Sequence, residues 1–191
     1  MEMLEALEAS AYAMWVKESS TAYVAFLAFH SIGMAFLVGI SGATAMRILG
    51  VARSMPLEPM AGFFPLMYAG FWINAVTGTV LLSLYPTKFL VDGTTYIKLA
   101  AVAAAMVIIV KLQAHVFGGG EGLDTPAGSK KAKMLAVALL AAWLIATVAG
   151  RVMAYSLTTK LQTAGAVLVV VVLALTIGYF AGRRFGWIES S

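Results

Sequence analysis

Long apolar runs separated by short polar segments make up most of the chain. A helix needs about 20 apolar residues to cross about 30 Å of hydrocarbon. Five runs are long enough, and they predict spanning helices over residues 21–49, 63–85, 96–117, 134–155 and 163–182. The segments between them contain proline, glycine, serine and charged residues, which are typical of loops. The pattern therefore predicts an all-α membrane protein, a five-transmembrane-helix bundle.

The first 18 residues have a different pattern. Apolar side chains recur there at helical spacing: Leu4, Leu7, Ala11, Met14 and Trp15. Glutamates lie between them, where a signal peptide would begin with basic residues. We therefore expect a short amphipathic helix over residues 1–18 that lies at the membrane interface. A polar lead-in is the alternative. One transmembrane domain over residues 19–187 and a tail of residues 188–191 follow.

The composition agrees with a chain that faces lipid. Hydrophobic residues make up 61% and charged residues only 12%, whereas soluble domains carry about 25% charged residues. So few charges cannot cover a surface that faces water. The absence of cysteine excludes disulfides and thiolate metal sites. With only two histidines, the chain cannot form a three-histidine metal site.

The positive net charge of +4 reflects membrane topology rather than nucleic-acid binding, because lysine and arginine concentrate near the predicted helix ends. One side of the membrane receives seven of them: Arg47, Arg53, Lys130, Lys131, Lys133, Arg183 and Arg184. The other side receives four: Lys17, Lys88, Lys98 and Lys160. The excess predicts an outside N-terminus and a cytoplasmic C-terminus in a bacterial inner membrane.

Small residues let transmembrane helices approach closely. Three helices carry them at helical spacing: Gly39 and Ala43, Gly70 and Gly78, and Ala142, Ala146 and Gly150. We expect these residues to lie at helix–helix contacts.

Ionisable and polar groups inside a spanning helix are costly, so each is a candidate for function. The candidates are His30, Asn74, Thr77, Lys111, His115 and Arg151. His30 lies a little to the outer side of the centre of the first helix, and Asn74 and Thr77 lie near the centre of the second. Lys111 and His115 lie close to a predicted interface, where a long side chain can extend to water.

His30 is the candidate that best suits a cofactor or metal, and haem b is the cofactor that we weigh. Joint ligation of one iron by His30 and His115 is disfavoured, because their predicted depths differ by about 15 Å. Met106 is the nearest partner for a His/Met pair, and Arg151 could neutralise a propionate. Ligation by one histidine, or across a homo-oligomer interface, stays open. The plain alternative is a histidine hydrogen-bonded to Asn74 or Thr77.

Other chemistry has little support in the sequence. Eleven methionines suit copper(I), but few are paired, and gap filling in an apolar core explains most of them. The chain has no phosphate-binding loop with its lysine, no nucleophile elbow and no HExxH motif. No enzymatic activity is therefore predicted, although a redox role remains open.

Single residues scattered over positions 15–112 form a pattern that resembles that of a known family. They are Trp15, Tyr23, His30, Gly33, Gly39, Arg47, Leu49, Gly50, Pro56, Pro65, Gly70, Thr77, Gly78 and Lys98. This pattern resembles small uncharacterised bacterial membrane proteins that are similar to the membrane domain of copper-resistance protein D. The resemblance implies an inner-membrane helical bundle with copper handling or haem-linked redox chemistry.

Three functions follow as hypotheses. The first is a b-haem protein that passes electrons, with a quinone or a periplasmic protein as partner. The second is a non-catalytic subunit or anchor of a larger membrane complex. The third is transport of a small solute or of copper, which the polar residues His30, Asn74 and Thr77 suggest.

Overall fold

A computed structural model of the chain describes residues 1–52, 54–119, 123, 125–153 and 155–184, with the side chains of residues 126, 127, 183 and 184 left aside. Its α-helices are α1 (Glu2–Glu8), α2 (Ala11–Glu18), α3 (Ala22–Ile48), α4 (Phe64–Leu84), α5 (Pro86–Phe89), α6 (Gly93–Phe117), α7 (Pro126–Val152) and α8 (Leu157–Arg184). A 3-10 helix over Glu58–Phe63 leads directly into α4.

Five of these elements are long and apolar enough to cross a membrane, which confirms the predicted all-α fold class. The candidate spans are Ala22–Ile48, Glu58–Leu84, Gly93–Phe117, Gly128–Val152 and Leu157–Gly182. Their mean hydropathy lies between 1.3 and 2.1 for the first four and reaches 2.5 for the last. The protein is therefore a multi-pass membrane protein.

Several helices are longer than hydropathy predicted. The fourth begins at Pro126 rather than at residue 134 and ends at Val152 rather than at residue 155. The fifth begins at Leu157 rather than at residue 163. Apolar runs report the thickness of the hydrocarbon, whereas lysine and threonine can continue a helix beyond it. The third begins at Gly93 because the Asp92 carboxylate accepts a hydrogen bond from the Thr94 amide at 2.9 Å.

The amphipathic segment forms two helices instead of one. Ser10 separates them, since its hydroxyl accepts a hydrogen bond from the Ala13 amide at 3.2 Å and caps α2. Ala13 and Val16 are buried, while Trp15 remains 63% exposed. The Ser10 cap thus divides the residues that were predicted to form one apolar face. Ala13 and Val16, rather than those residues, are buried against the protein.

Contacts divide the chain into two compact units, Met1–Gly150 and Arg151–Ser191. The second unit contains α8, whose most apolar stretch buries none of its residues within the protein. The tail predicted at 188–191 lies outside the described residues, and the single five-helix domain over 19–187 stays a prediction.

The first unit has its main core between α3, α4, α6 and α7. The buried residues there include Leu37, Met67, Ala105 and Leu139, one from each helix. Alanines dominate the α7 contribution, as expected for closely packed membrane helices. The predicted contact residues Ala142 and Ala146 are both buried. A polar link reinforces the core, because the Trp143 indole donates to the Ser41 hydroxyl at 2.9 Å.

Backbone contact between two glycines brings α3 and α4 together. A β-carbon at Gly33 would lie 2.7 Å from the Gly70 carbonyl oxygen, and one at Gly70 would lie 2.8 Å from the Gly33 carbonyl oxygen. Only glycine permits that approach, since real β-carbons do not come so close to backbone. Gly39, which the sequence suggested for this contact, meets nothing within 4 Å. The reason is the direction of the helix face: Gly33 and Leu37 point inward, and Gly39 points outward.

The N-terminal helices pack against the end of α4. The Lys17 ammonium donates to the Glu8 carbonyl oxygen at 3.1 Å and lies 4.7 Å from the centre of the Tyr85 ring. The Thr87 hydroxyl donates to the Glu8 carboxylate. Val16 and Leu84 are buried together beneath these polar contacts. The first 18 residues are therefore attached to the protein as well as being amphipathic.

Replacement of Gly33 by alanine should destabilise the first unit by about 1–3 kcal/mol, the usual cost of overpacking a core. The new methyl group would meet the Gly70 backbone, which has no side chain that could move aside. In a thermal unfolding measurement in detergent, we expect a fall in Tm of about 5 °C.

Gly39→Ala on the same helix is the matched control, since its methyl group would meet nothing. We expect it to unfold at or above the wild-type temperature, because alanine favours helix over glycine. Equal effects of the two substitutions would contradict the glycine contact described for α3 and α4.

Candidate functional site

His30 lies on α3, close to the point where α3 and α4 touch. It is three residues, less than one helical turn, before Gly33. On α4, Asn74 follows Gly70 by four residues, and Thr77 and Gly78 follow one turn later. The glycine contact therefore places His30 opposite these three residues of α4. The chain reverses direction after Ile48, so α4 runs back along α3.

His30 and Asn74 exchange hydrogen bonds across the two helices. The Asn74 amide nitrogen donates to the His30 backbone carbonyl at 2.8 Å. His30 Nδ1 lies 3.1 Å from the Asn74 carbonyl oxygen. Each side chain thus contacts the other residue's backbone. Hydrogen bonds of this kind between membrane helices contribute about 0.6 kcal/mol each, so they fix the orientation of the side chains more than they stabilise the fold.

The hydrogen bonds determine which nitrogen of His30 carries the proton. The Asn74 carbonyl oxygen can only accept, so Nδ1 must donate. The Thr77 hydroxyl, also 3.1 Å from Nδ1, already donates to the Ile73 carbonyl oxygen at 2.6 Å and therefore accepts from His30. In the neutral imidazole Nε2 then keeps its lone pair. Nε2 has no hydrogen-bond partner among the residues that the structure describes.

Gly78 provides the space for the His30 ring. A β-carbon at Gly78 would lie 3.0 Å from Cε1 and 3.4 Å from Nδ1. The ring therefore packs closely against α4, and a larger residue at position 78 would press on it. His30 is half-buried, so the ring is held firmly without being fully enclosed.

A charged residue of this region is Lys98, which the sequence placed only among the cations near predicted helix ends. It lies on α6, five residues after the first residue of the helix and inside the spanning segment. Lys98 lies five residues from the start of α6 and His30 lies eight residues from the start of α3, so their depths differ by only about 5 Å. The predicted span over residues 96–117 already contained Lys98, and the Asp92 cap moves the start of the helix further from it.

The Lys98 side chain lies across the backbone of Gly150 on α7. Its Cδ, Cε and Nζ atoms come within 3.3–3.5 Å of the position that a Gly150 β-carbon would take. Gly150 is two residues before the end of α7. Gly150, one of the small residues predicted to pack α7 against another helix, thus lies against the charged side chain of Lys98.

The other predicted site residues lie elsewhere. Met106 is eight residues beyond Lys98 on α6, about 12 Å of helical rise, and packs against the main core. Lys111 is exposed. Arg151 is exposed and begins the second unit, so its role as a propionate partner stays a prediction.

His115 belongs to the opposite end of the first unit. Its Nε2 lies 3.0 Å from the Gly128 carbonyl oxygen and links the end of α6 to the start of α7. His30 is eight residues from the start of α3, and His115 is 22 residues from the start of α6. At 1.5 Å per residue the difference is about 20 Å, too far for one iron.

The core of the first unit leaves no room for a large ligand between Ser41, Met67 and Leu139. The cavity that these residues help to line measures about 10 Å³, roughly the space of one water molecule. Three or more His, Asp or Glu side chains suited to a metal ion do not gather anywhere in the described part of the chain. A ligand of His30 must therefore reach Nε2 from outside this core.

Comparisons of the chain with models of known protein families, with curated proteins and with solved structures find no significant match.

The hydrogen bonds of the two histidines predict opposite tautomers. His30 should carry its proton on Nδ1, and neutral His115 should carry it on Nε2, which donates to Gly128. Long-range ¹⁵N–¹H correlation spectra of protein labelled at histidine would distinguish them at about pH 8.5, well above the usual histidine pKa.

The His30→Ala variant assigns the two sets of signals, since one histidine then remains. Observation of an Nε2–H tautomer for His30 would contradict the arrangement with Asn74 and Thr77.

Proposed function

We propose that this protein is a bacterial inner-membrane protein that binds haem b through His30 and passes electrons. The observation that carries the proposal is the orientation of the His30 ring. Nδ1 donates to the Asn74 carbonyl oxygen, and Nε2 keeps a free lone pair. Histidines that bind metals usually have this arrangement, in which the second ring nitrogen donates to a carbonyl or carboxylate and fixes the ligand.

The surroundings of His30 suit an iron ligand more than a transport path. Asn74 and Thr77, the polar groups that suggested transport, use their side chains to hold His30 and the helix backbone. Their hydrogen-bonding capacity is largely spent within the protein. A solute that crosses the membrane needs polar groups that can exchange partners, and these two are fixed.

Depth and packing argue against Met106 as a second ligand. Met106 lies 13 residues from the start of α6 and His30 eight residues from the start of α3, a difference in depth of about 7.5 Å, and Met106 packs against the main core. We therefore infer ligation by His30 alone from this chain, with any second ligand supplied by another copy or by a partner subunit. The half-buried ring is compatible with a haem bound at the surface of the helices.

The partner and the location complete the proposal. A quinone in the bilayer or a periplasmic redox protein would exchange electrons with the haem, because His30 lies on the side of the membrane that the lysine and arginine distribution makes periplasmic. Handling of copper, which the resemblance to copper-resistance protein D implies, would also use His30 as its ligand.

Substitution of His30 by alanine should abolish haem binding, whereas His115→Ala should leave it intact. Optical spectra of protein purified from haem-supplied cells, oxidised and then reduced with dithionite, measure this directly. We expect a sharp reduced α-band in the wild type and in His115→Ala, and its loss in His30→Ala.

The two variants remove the same side chain from the same protein, so they control for unspecific haem uptake. A colourless wild-type protein would contradict the proposal. An α-band that remains in His30→Ala would also contradict it. Gly78→Ala adds a test of position, because its methyl group would press on the His30 ring. We expect it to weaken haem retention without removing the ligand.

A further inference from the structure

Lys98 is a cation for which no acidic partner is found among the described residues. It lies within a membrane-spanning segment and is half-buried. None of the nine acidic residues lies between Gly93 and Phe117, the helix that carries Lys98. An ion pair joins Lys17 to Glu8. The Lys98 side chain has neither a hydrogen bond nor an ion pair within the part of the chain that the structure describes.

The end of α7 balances this charge only in part. The last carbonyl groups of a helix have no partners within it and amount to about half a negative charge. Gly150 lies two residues before that end, and the Lys98 ammonium lies beside it. A full positive charge beside half a negative one still favours binding of an anion.

The position of the side chain argues against simple extension to water. A lysine that reaches the interface on its own runs along its helix with its head in solvent. Here three atoms of the distal half of Lys98 contact a second helix at a glycine. A larger residue at position 150 would press on the lysine side chain. The ammonium is therefore held at a defined point between α6 and α7.

His30 provides the second feature of the same region. Its Nε2 is unpartnered among the described residues, and His30 lies at nearly the same depth along α3 as Lys98 does along α6. A membrane ligand that reached both groups would present an anionic oxygen to the lysine and a separate atom to the imidazole.

We propose that Lys98 binds the anionic oxygen group, carboxylate or phosphate, of an amphiphilic ligand beside Gly150 on α7. The carboxylate would be a haem propionate, in which case the inference rests on the proposed function. The phosphate would be that of an anionic lipid, in which case it does not. Charge-assisted hydrogen bonds to such oxygens are the stronger kind in proteins.

Lys98→Met tests the site, and Lys88→Met is its control. Methionine keeps the length and apolar stem of the side chain and removes the charge. Lys88 lies on α5, toward the same side of the membrane, and is exposed. Both variants therefore lower the net charge equally. Lys98→Gln serves as a second variant if the methionine variant folds poorly.

The lipid source is tested by native mass spectrometry in detergent with equimolar phosphatidylglycerol and phosphatidylcholine. The haem source is tested by the ratio of reduced α-band to protein. We expect Lys98→Met to lose about tenfold in retention of one of the two ligands, with Lys88→Met at the wild-type level.

The outcomes separate the inference from the proposed function. Loss of phosphatidylglycerol in a colourless protein supports the inference and counts against haem. Loss of haem with lipid unchanged supports both and identifies the carboxylate. If Lys98→Met and Lys88→Met behave alike toward both ligands, Lys98 is no anion site and the inference fails.

Discussion

The contact between the backbones of Gly33 and Gly70 is the constraint on which the site depends. Lipid chains are as apolar as leucine, so helices in a bilayer gain little from burying apolar side chains against each other. Close packing and a few polar links must hold them together instead. The glycines remove the side chains that would separate α3 from α4. Only at that short distance can His30 and Asn74 each reach the backbone of the other helix.

The close approach of α3 and α4 also fixes the orientation of the His30 ring. Two acceptors face Nδ1, and Gly78 lies against the ring. Rotation of the ring would break both hydrogen bonds and push the imidazole toward α4. The arrangement keeps one nitrogen in a fixed position with its lone pair free, which is the property that a metal ligand requires.

Lys98 lies within a spanning segment and has neither a hydrogen bond nor an ion pair among the described residues. Several other polar groups do find partners there: Lys17 contacts Glu8, Trp143 donates to Ser41, and Asp92 caps the start of α6. Natural sequences tend to place such local conflicts at functional sites, where stability is given up for binding. A cation held beside a free imidazole, at the end of a helix, has the character of a site that is completed by a ligand.

The sequence by itself determined the fold class and the number of spanning helices, because the thickness of the bilayer imposes a length of apolar chain that composition reveals directly. It also identified His30, Asn74 and Thr77 as candidates, since polar residues are rare in such helices. It misplaced the starts of α6 and α7, because capping and helix propensity act beyond the hydrocarbon. It chose Gly39 over Gly33, because spacing alone does not say which face of a uniformly apolar helix meets another helix. Only the tertiary structure decided that face, and with it the pairing of His30 with α4 and the position of Lys98 against Gly150. These contacts join residues far apart in sequence, and helix packing rather than local pattern brings them together.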